Sequence, residues 1–458
     1  MTSGAHDHEE IAGALAGNAE QILGLGLDAA RLAQRTVELE RKLDAHLEGH
    51  DETPAPPSPT PEEPAPPTTP EPVGLPVPAN ADAGWFRDHQ VNEYWFEGEY
   101  NRLLNIPVPN GAALRGALRL VPHEVGKAPV SGAPIFDWRP PEDESPALLR
   151  YTGGGTGRLF AGEPANLTIE GLEITGYEPG NLQHGALQLG RGADVGHVYV
   201  HDNGATGIRI REDTRLHHFR SSENHHIGLG GGFGKVLVEL GSLVGNATNP
   251  GLNLGWESGG AKLVLTKDAT ARRLYCARNR GPGWWWDIDN QDQLIEECLC
   301  EFNENQGISD EINWRGTVRR NIARYNGNGF KTQLWGAQIL VSSSQGVRVH
   351  DNLAIAHNGA DGIGVVQQQR GLSDKLGIPF TVEGYEVLRN TIRFESASGE
   401  LGVVDPRHQG AWDENTIEAP AAWWNAGYGN WEDGWRGGWD EWKRRTGYGE
   451  HDVKVVTA

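Results

Sequence analysis

The chain has 458 residues, 37% of them hydrophobic, and a formal charge of −22 at pH 7. A chain that acidic repels phosphate backbones, which excludes nucleic acid as its main partner. Its 62 glycines follow no three-residue period and so indicate many turns, and an odd count of three cysteines does not build a disulfide framework.

Residues 9–48 read as one helix. Ile11, Leu15, Asn18, Ile22, Leu25, Ala29, Leu32, Thr36, Leu39 and Leu43 alternate at spacings of four and three, the seam of a left-handed coiled coil. Asn18 and Thr36 interrupt it, and a polar seam residue fixes register and oligomer state at a cost in stability. Residues 1–50 are thus expected to form an oligomerising stalk that docks on other proteins, with an amphipathic helix folded back on the body as the alternative. No basic or apolar leader occupies Met1 to Gly13, and no stretch is long enough for membrane insertion. Export by another route, such as lysis inside a virus particle, is the expectation.

Residues 51–80 are a Pro-rich linker, extended and semi-rigid, reaching on the order of 90 Å at about 3.1 Å per residue. Residues 81–150 are expected to cap a solenoid and supply its first coils, with a strand at Leu118–Val121 closed by Pro122.

Over residues 151–410 one pattern recurs: a short strand, a polar turn with Asn, then Gly and an apolar residue. The glycines are Gly207, Gly228, Gly251, Gly283, Gly307, Gly329 and Gly362. Most intervals are about 21 to 24 residues, one coil of a β-solenoid, and two of about 32 fit a coil plus an inserted loop. Asn203, Asn224, Asn246, Asn279, Asn303, Asn326 and Asn358 keep step, as residues that tolerate a left-handed corner. The residue after each Gly (Ile208, Leu229, Leu252, Trp284, Ile308, Phe330, Ile363) forms an inward column, so alternate positions face out. That assignment makes Asp310 an inward carboxylate unless a bulge intervenes.

Phrases such as HDNGATGIRI (201–210), NRGPGWWWDIDN (279–290) and YNGNGFKTQLW (325–335) resemble the right-handed parallel β-helix superfamily. Its members include pectate-lyase-like polysaccharide enzymes, alginate-type epimerases, and phage tailspike and minor tail proteins. The resemblance implies an all-β, single-stranded right-handed parallel β-helix, with the helical stalk before it and a Trp-rich cap after it. It specifies the reaction poorly, since the fold hosts many chemistries. The stalk, spacer and missing leader resemble the attachment region of phage tail fibres and minor tail proteins.

The outward columns concentrate acid. Glu257, Asp287, Asp289 and Glu311 are flanked by Trp285, Asn313, Lys331 and Trp335. Neighbouring rungs lie about 4.8 Å apart, so Asp287 and Glu311 should be near neighbours. Carboxylates about 5 Å apart match a retaining glycosidase, and wider pairs an inverting one. The same patch suits Ca²⁺, although no cofactor is required, or glycan binding without chemistry, with Trp285 and Trp335 stacking on sugars. Asp287, Asp289 and Glu311 are the catalytic candidates. Glu257, Asn313, Lys331, Trp285, Trp335, Arg209 and Arg211 are the binding candidates. The two arginines fit a carboxylate or sulfate, or else pair with Asp213 or Glu212.

His217, His218, His225 and His226 form adjacent pairs that alternation should split across a strand, leaving no metal site. Cys276, Cys298 and Cys300 are expected to stack in the core. Trp412, Trp423, Trp424, Trp431, Trp435, Trp439 and Trp442 crowd the last 50 residues, and the spacing from Trp431 to Trp442 predicts four indoles on one helical face. They either close the solenoid or bind carbohydrate.

Taken together, the residues point to a virion tail component, a homotrimer whose β-helix binds, and in one reading degrades, envelope polysaccharide. A polysaccharide lyase, glycosidase or epimerase and a purely structural adhesion protein are the alternatives. Deleting residues 1–50 is expected to convert an oligomer into a monomer in sedimentation, and a full-length chain that already sediments as a monomer removes the stalk.

Overall fold

The computed structural model describes residues 71–142, 147–329, 334–404, 410–423, 426–428 and 435–457. The heptad seam from Ile11 to Leu43, residues 51–70 of the linker, Lys331, Trp424 and Trp431 lie outside the described residues.

The body is a parallel β-helix. One wall carries the site. Its strands are β1 (Gly185–Gln188), β2 (Thr206–Ile210), β3 (Leu229–Gly232), β4 (Ala261–Val264), β5 (Trp284–Asp287), β6 (Ile308–Glu311), β7 (Ala337–Ser342), β8 (Asp361–Val366) and β9 (Gly402–Val404). Each pairs in parallel with the next. Apart from the hairpin Val121–Lys127 with Pro134–Arg139 and two short C-terminal strands that extend the site wall, the other strands stack into a second, larger sheet. That sheet bends along its length where His218, Leu240, Arg273, Glu297 and Arg320 take left-handed backbone.

Register partners Ile208, Leu229, Ala261, Trp284, Ile308, Ile339 and Ile363 form the inward column, and all are fully buried. Two rungs therefore differ from the sequence reading. Gly260 and Gln338 replace Gly251 and Gly329 at the head of their strands. Gly251–Leu252 lies in a loop and Gly329 precedes no described strand before Ala337, so both mimic the signal, and Phe330 lies outside the described residues. Asp310 is an inward carboxylate with no bulge; it accepts from Gln293 Nε2 at 2.8 Å and Asn313 Nδ2 at 3.2 Å.

The asparagines do something other than expected. Asn203, Asn224, Asn246, Asn279, Asn303 and Asn326 are buried, and each side-chain amide donates to the side-chain oxygen of the next, ending on Gln338 Oε1. The left-handed residue is the one before each Asn: Asp202, Glu223, Gly245, Arg278, Phe302 and Tyr325. Asn358, itself left-handed with φ 50°, is the exception, and Gln338 fills its slot. The glycines belong to the same device. A Cβ at Gly283 would lie 2.7 Å from both Asn303 Nδ2 and the Gly307 carbonyl, and Gly207, Gly228, Gly260 and Gly307 are equally crowded by a ladder amide. Two further ladders run through Asn321, Asn352, Asn390 and Asn415, and through Thr266, Asn290, Asn313 and Ser344.

Cys276 and Cys300 are register partners, and all three cysteines are buried and unbridged. Leu118 to Leu120 form no strand. The strand begins at Val121, runs through Pro122 to Lys127, and pairs antiparallel with Pro134–Arg139 as a hairpin laid on the outer wall. There Trp138 packs against His218, whose ring stacks on His197, while His217 Nδ1 lies 2.8 Å from His218 Nδ1. His217 and His218 do not split to opposite faces, because the corner at His218 breaks the alternation.

At the C-terminal end, buried Trp412, Trp423, Trp439 and Trp442 close the apolar core. The helix runs only from Trp439 to Thr446, so Trp439 and Trp442 share it and Trp435 lies before it. This corrects the predicted four-indole face.

Asn279→Ala is expected to cost on the order of 3 kcal/mol or more, because it leaves the buried Asn246 N–H and Leu243 carbonyl without partners. Asn328→Ala, on an exposed turn, should cost less than about 0.5 kcal/mol. Urea denaturation of the two variants checks this.

Candidate functional site

A cleft of about 240 Å³ opens on the site wall. Its floor is Trp285 of β5 with Ser309 and Glu311 of β6, and Pro282, Asn305 and Gln306 join them. Around it stand Leu254 and Gly255 from residues 247–260, Trp335 from the segment just before β7, and Gln368 and Arg370 from residues 367–384.

Asp287 and Glu311 are register partners on adjacent strands, as their spacing predicts. They differ in orientation. Glu311 lines the cleft and is only 6% exposed. Asp287 turns to Lys262 of β4, whose Nζ lies 2.8 Å from its Oδ2. That ammonium sits 4.2 Å over the Trp285 ring and donates to the Trp256 carbonyl. A buried cation thus has a carboxylate, a π face and a carbonyl, the conditions under which burying a charge is tolerated. With one face of Trp285 taken by Lys262, the indole is a floor with limited stacking surface. Trp335, half-buried, is the open aromatic wall.

Glu311 accepts a hydrogen bond from Arg370 Nη2. Its pKa nonetheless rises to about 7. Burial is the main cause and the Asp287 charge adds to it; Arg370 and Lys262 pull the other way and lose. The Arg370 side chain is 38% exposed, so water screens its attraction.

Other candidates stand elsewhere. Asp289 is buried, accepting from Trp314 Nε1 at 3.1 Å and from Ser373 Oγ. Asn313 is fully buried within a ladder, donating to the Trp286 carbonyl at 2.9 Å. Both were assigned outward by extending the alternation past residue 287 or 311. The strands stop there, and left-handed Ile288, Asp289 and Ile312 turn the chain, so the period of two ends at the corner.

Glu257 belongs to the first insertion and accepts from Gln183 Nε2 at 2.6 Å. Arg209 donates to the Gln183 carbonyl beneath that clasp, and its pKa is lowered by burial. Arg211 pairs with Glu163 at 3.0 Å and lies over Phe233, whereas Asp213 pairs with Arg191. Neither arginine lines the cleft. Among the described residues no group of three or more acidic, His or Cys side chains is placed to hold a metal ion.

Sequence reasoning missed Lys262, Arg370, Asn305 and Gln306. Lys262 was hidden by the misplaced rung, since Gly260–Ala261 gives a weaker Gly–apolar signal than Gly251–Leu252. Arg370 sits on an insertion with no period to read.

No protein-family model and no curated protein matches this sequence. Among solved structures, the A-module of the Azotobacter vinelandii mannuronan C-5 epimerase AlgE6 overlays with a TM-score of 0.52 at 14% identity, covering 83% of this chain and 96% of that one. The Dettilon tailspike protein gives 0.35 at 12% identity, with 79% and 58% covered. The bacteriophage phi29 gene product 12 N-terminal fragment gives 0.34 at 12%, with 76% and 63% covered. The chain is a parallel β-helix, and its overlay with the epimerase module shows a common fold. No helix among the described residues is long and apolar enough to cross a membrane.

A carboxyl whose pKa rises from 4.5 to about 7 on folding favours the neutral form in the native state. Its contribution is fully present below about pH 4.5 and is lost as pH rises through about 7. Glu311→Gln is therefore expected to match the wild type at about pH 4 and to exceed it by up to about 3 kcal/mol at about pH 8. Urea midpoints at both pH values test this; equal stability at the higher pH means the carboxyl is not held neutral.

Proposed function

We propose that this protein is a phage tail component whose β-helix binds an envelope polysaccharide, and that Glu311 transfers a proton in the cleft. The observation that carries the chemistry is Glu311 itself, a buried carboxyl at the cleft floor with a pKa near neutrality. Such a pKa suits a general acid or base at cellular pH. The tail assignment rests on the heptad seam and the Pro-rich linker that precede the β-helix, an arrangement suited to a trimeric stalk holding a glycan-facing body away from its attachment point.

Hydrolysis by paired carboxylates needs two of them at the bond. Here Glu311 is the one carboxylate among the described cleft residues, and Asp287 is engaged with Lys262. A single carboxylate beside a guanidinium fits abstraction of a sugar C–H proton better, as in elimination or epimerisation. Asp287 then raises the basicity of Glu311 and need not touch the sugar.

If Glu311 is the base, kcat/KM rises with pH through about 7 and is lost in acid. Glu311→Gln should lower turnover by about 10²- to 10⁴-fold while glycan binding persists. Trp335→Ala should weaken binding. Incubation with envelope polysaccharide in D₂O reads the chemistry, as unsaturated uronate absorbance or deuterium in the polymer. New reducing ends with neither signal mean hydrolysis and sink the abstraction reading.

A further inference from the structure

Two charged side chains stand among the described cleft residues, Glu311 and Arg370, and they are bonded to each other. They are unequal partners. Glu311 is buried on a rigid strand, whereas the Arg370 side chain is 38% exposed and comes from an insertion. Its Nε donates to Gln368 Oε1 at 2.6 Å and its Nη2 to Glu311. Nη1 has no partner among the described residues.

The ion pair is not needed to hold the insertion. Ser373 Oγ is bonded to Asp289, Phe380 stacks on Trp314 at 5.5 Å, and Leu372 bridges Pro379. These contacts fix the loop after Arg370, the Gln368 N–H donating to Ser343 Oγ at 2.9 Å fixes it before, and the Arg370 side chain is the part left to change partner. A guanidinium binds planar anions with two parallel N–H bonds, and in a cleft it prefers an anion that brings both oxygens to it.

We propose that Arg370 is the receptor for an anionic substituent of the glycan, and that it exchanges Glu311 for that anion when the sugar enters. The inference rests on reading the cleft as a glycan site and names the class: a polysaccharide carrying carboxylate or phosphate groups. A neutral sugar brings nothing to replace Glu311, so the guanidinium stays where it is. An anionic sugar draws it away. Glu311 is then left with the repulsion of Asp287, offset only by Lys262, which strengthens its hold on a proton. The substrate's own charge would thus prepare the group that acts on it.

Binding of glucuronate, glucose 6-phosphate and glucose to the full chain, followed by NMR titration, tests this without requiring turnover. The wild type should bind at least one of the anionic sugars about tenfold or more tightly than glucose. Arg370→Gln should erase that preference. Glu311→Gln, which removes the competing carboxylate, should raise the preference for the anionic sugar over glucose; a merely structural ion pair predicts no such gain. The better of the two anions identifies carboxylate or phosphate as the natural group. No anion preference in the wild type, or a preference that survives Arg370→Gln, overturns the proposal. The two readings fail separately. Turnover that depends on Glu311 without charge preference removes the exchange alone, and charge preference without turnover on any polymer removes the proton transfer alone.

Discussion

The buried amide ladder sets the rest of this structure. Turning a chain through a sharp corner buries backbone N–H and C=O groups that no strand can pair, and an unpaired buried group costs about 1 to 3 kcal/mol. Each ladder Asn meets the backbone on both sides: Asn279 donates to the Leu243 carbonyl while its Oδ1 accepts from the Asn246 N–H. The amides stack at the strand spacing, so every coil must place its Asn at the same point. The space beside each amide from Asn224 to Asn326 excludes a Cβ, so the site-wall strand before each of these asparagines must be entered through a Gly. Asn and Gly recur together because they occupy one volume.

A wall locked in this way fixes its side chains to rung spacing. Asp287 and Glu311 are neighbours because the ladder aligns Trp284 with Ile308, and no side-chain preference of their own brings them together. Variation is confined to the insertions. Leu254 and Trp335 arrive on segments that follow a ladder Asn and precede a site-wall strand, and Arg370 on one that leaves the far end of β8. The rigid wall supplies the carboxylates, and the loops supply the aromatic wall and the cation.

Much of this was legible in the sequence, since Gly and Asn recur at coil length and the apolar column follows them. Even the inward Asp310 could be named as the consequence of an unbroken register. What failed has three physical causes. A Gly–apolar pair inside a loop is locally identical to one that heads a strand, so Gly251 and Gly329 displaced two rungs and hid Lys262. Period-two alternation holds only within a strand, and the left-handed corner at Ile288 and Ile312 ended it one residue before Asp289 and Asn313. Arg370 occupies an insertion whose position is set by Ser373, Phe380 and their partners on the wall, contacts with no sequence period.

Stacked carboxylates on parallel rungs should repel one another, and the structure resolves this by giving each a different partner. Glu257 takes Gln183, Asp287 takes Lys262, Asp289 takes Trp314 and Ser373, and Glu311 takes Arg370. Four of these partners cannot be withdrawn cheaply. Lys262 is buried and held on three sides, Trp314 and Ser373 are buried, and Gln183 closes a clasp between two loops. Arg370 is the exception, a partly exposed cation facing a buried carboxylate. Burial penalises the charged form of Glu311 most, and its compensating charge is the one a solute can reach. The electrostatic balance of the wall is therefore weakest where the cleft opens, which is where an entering solute meets it.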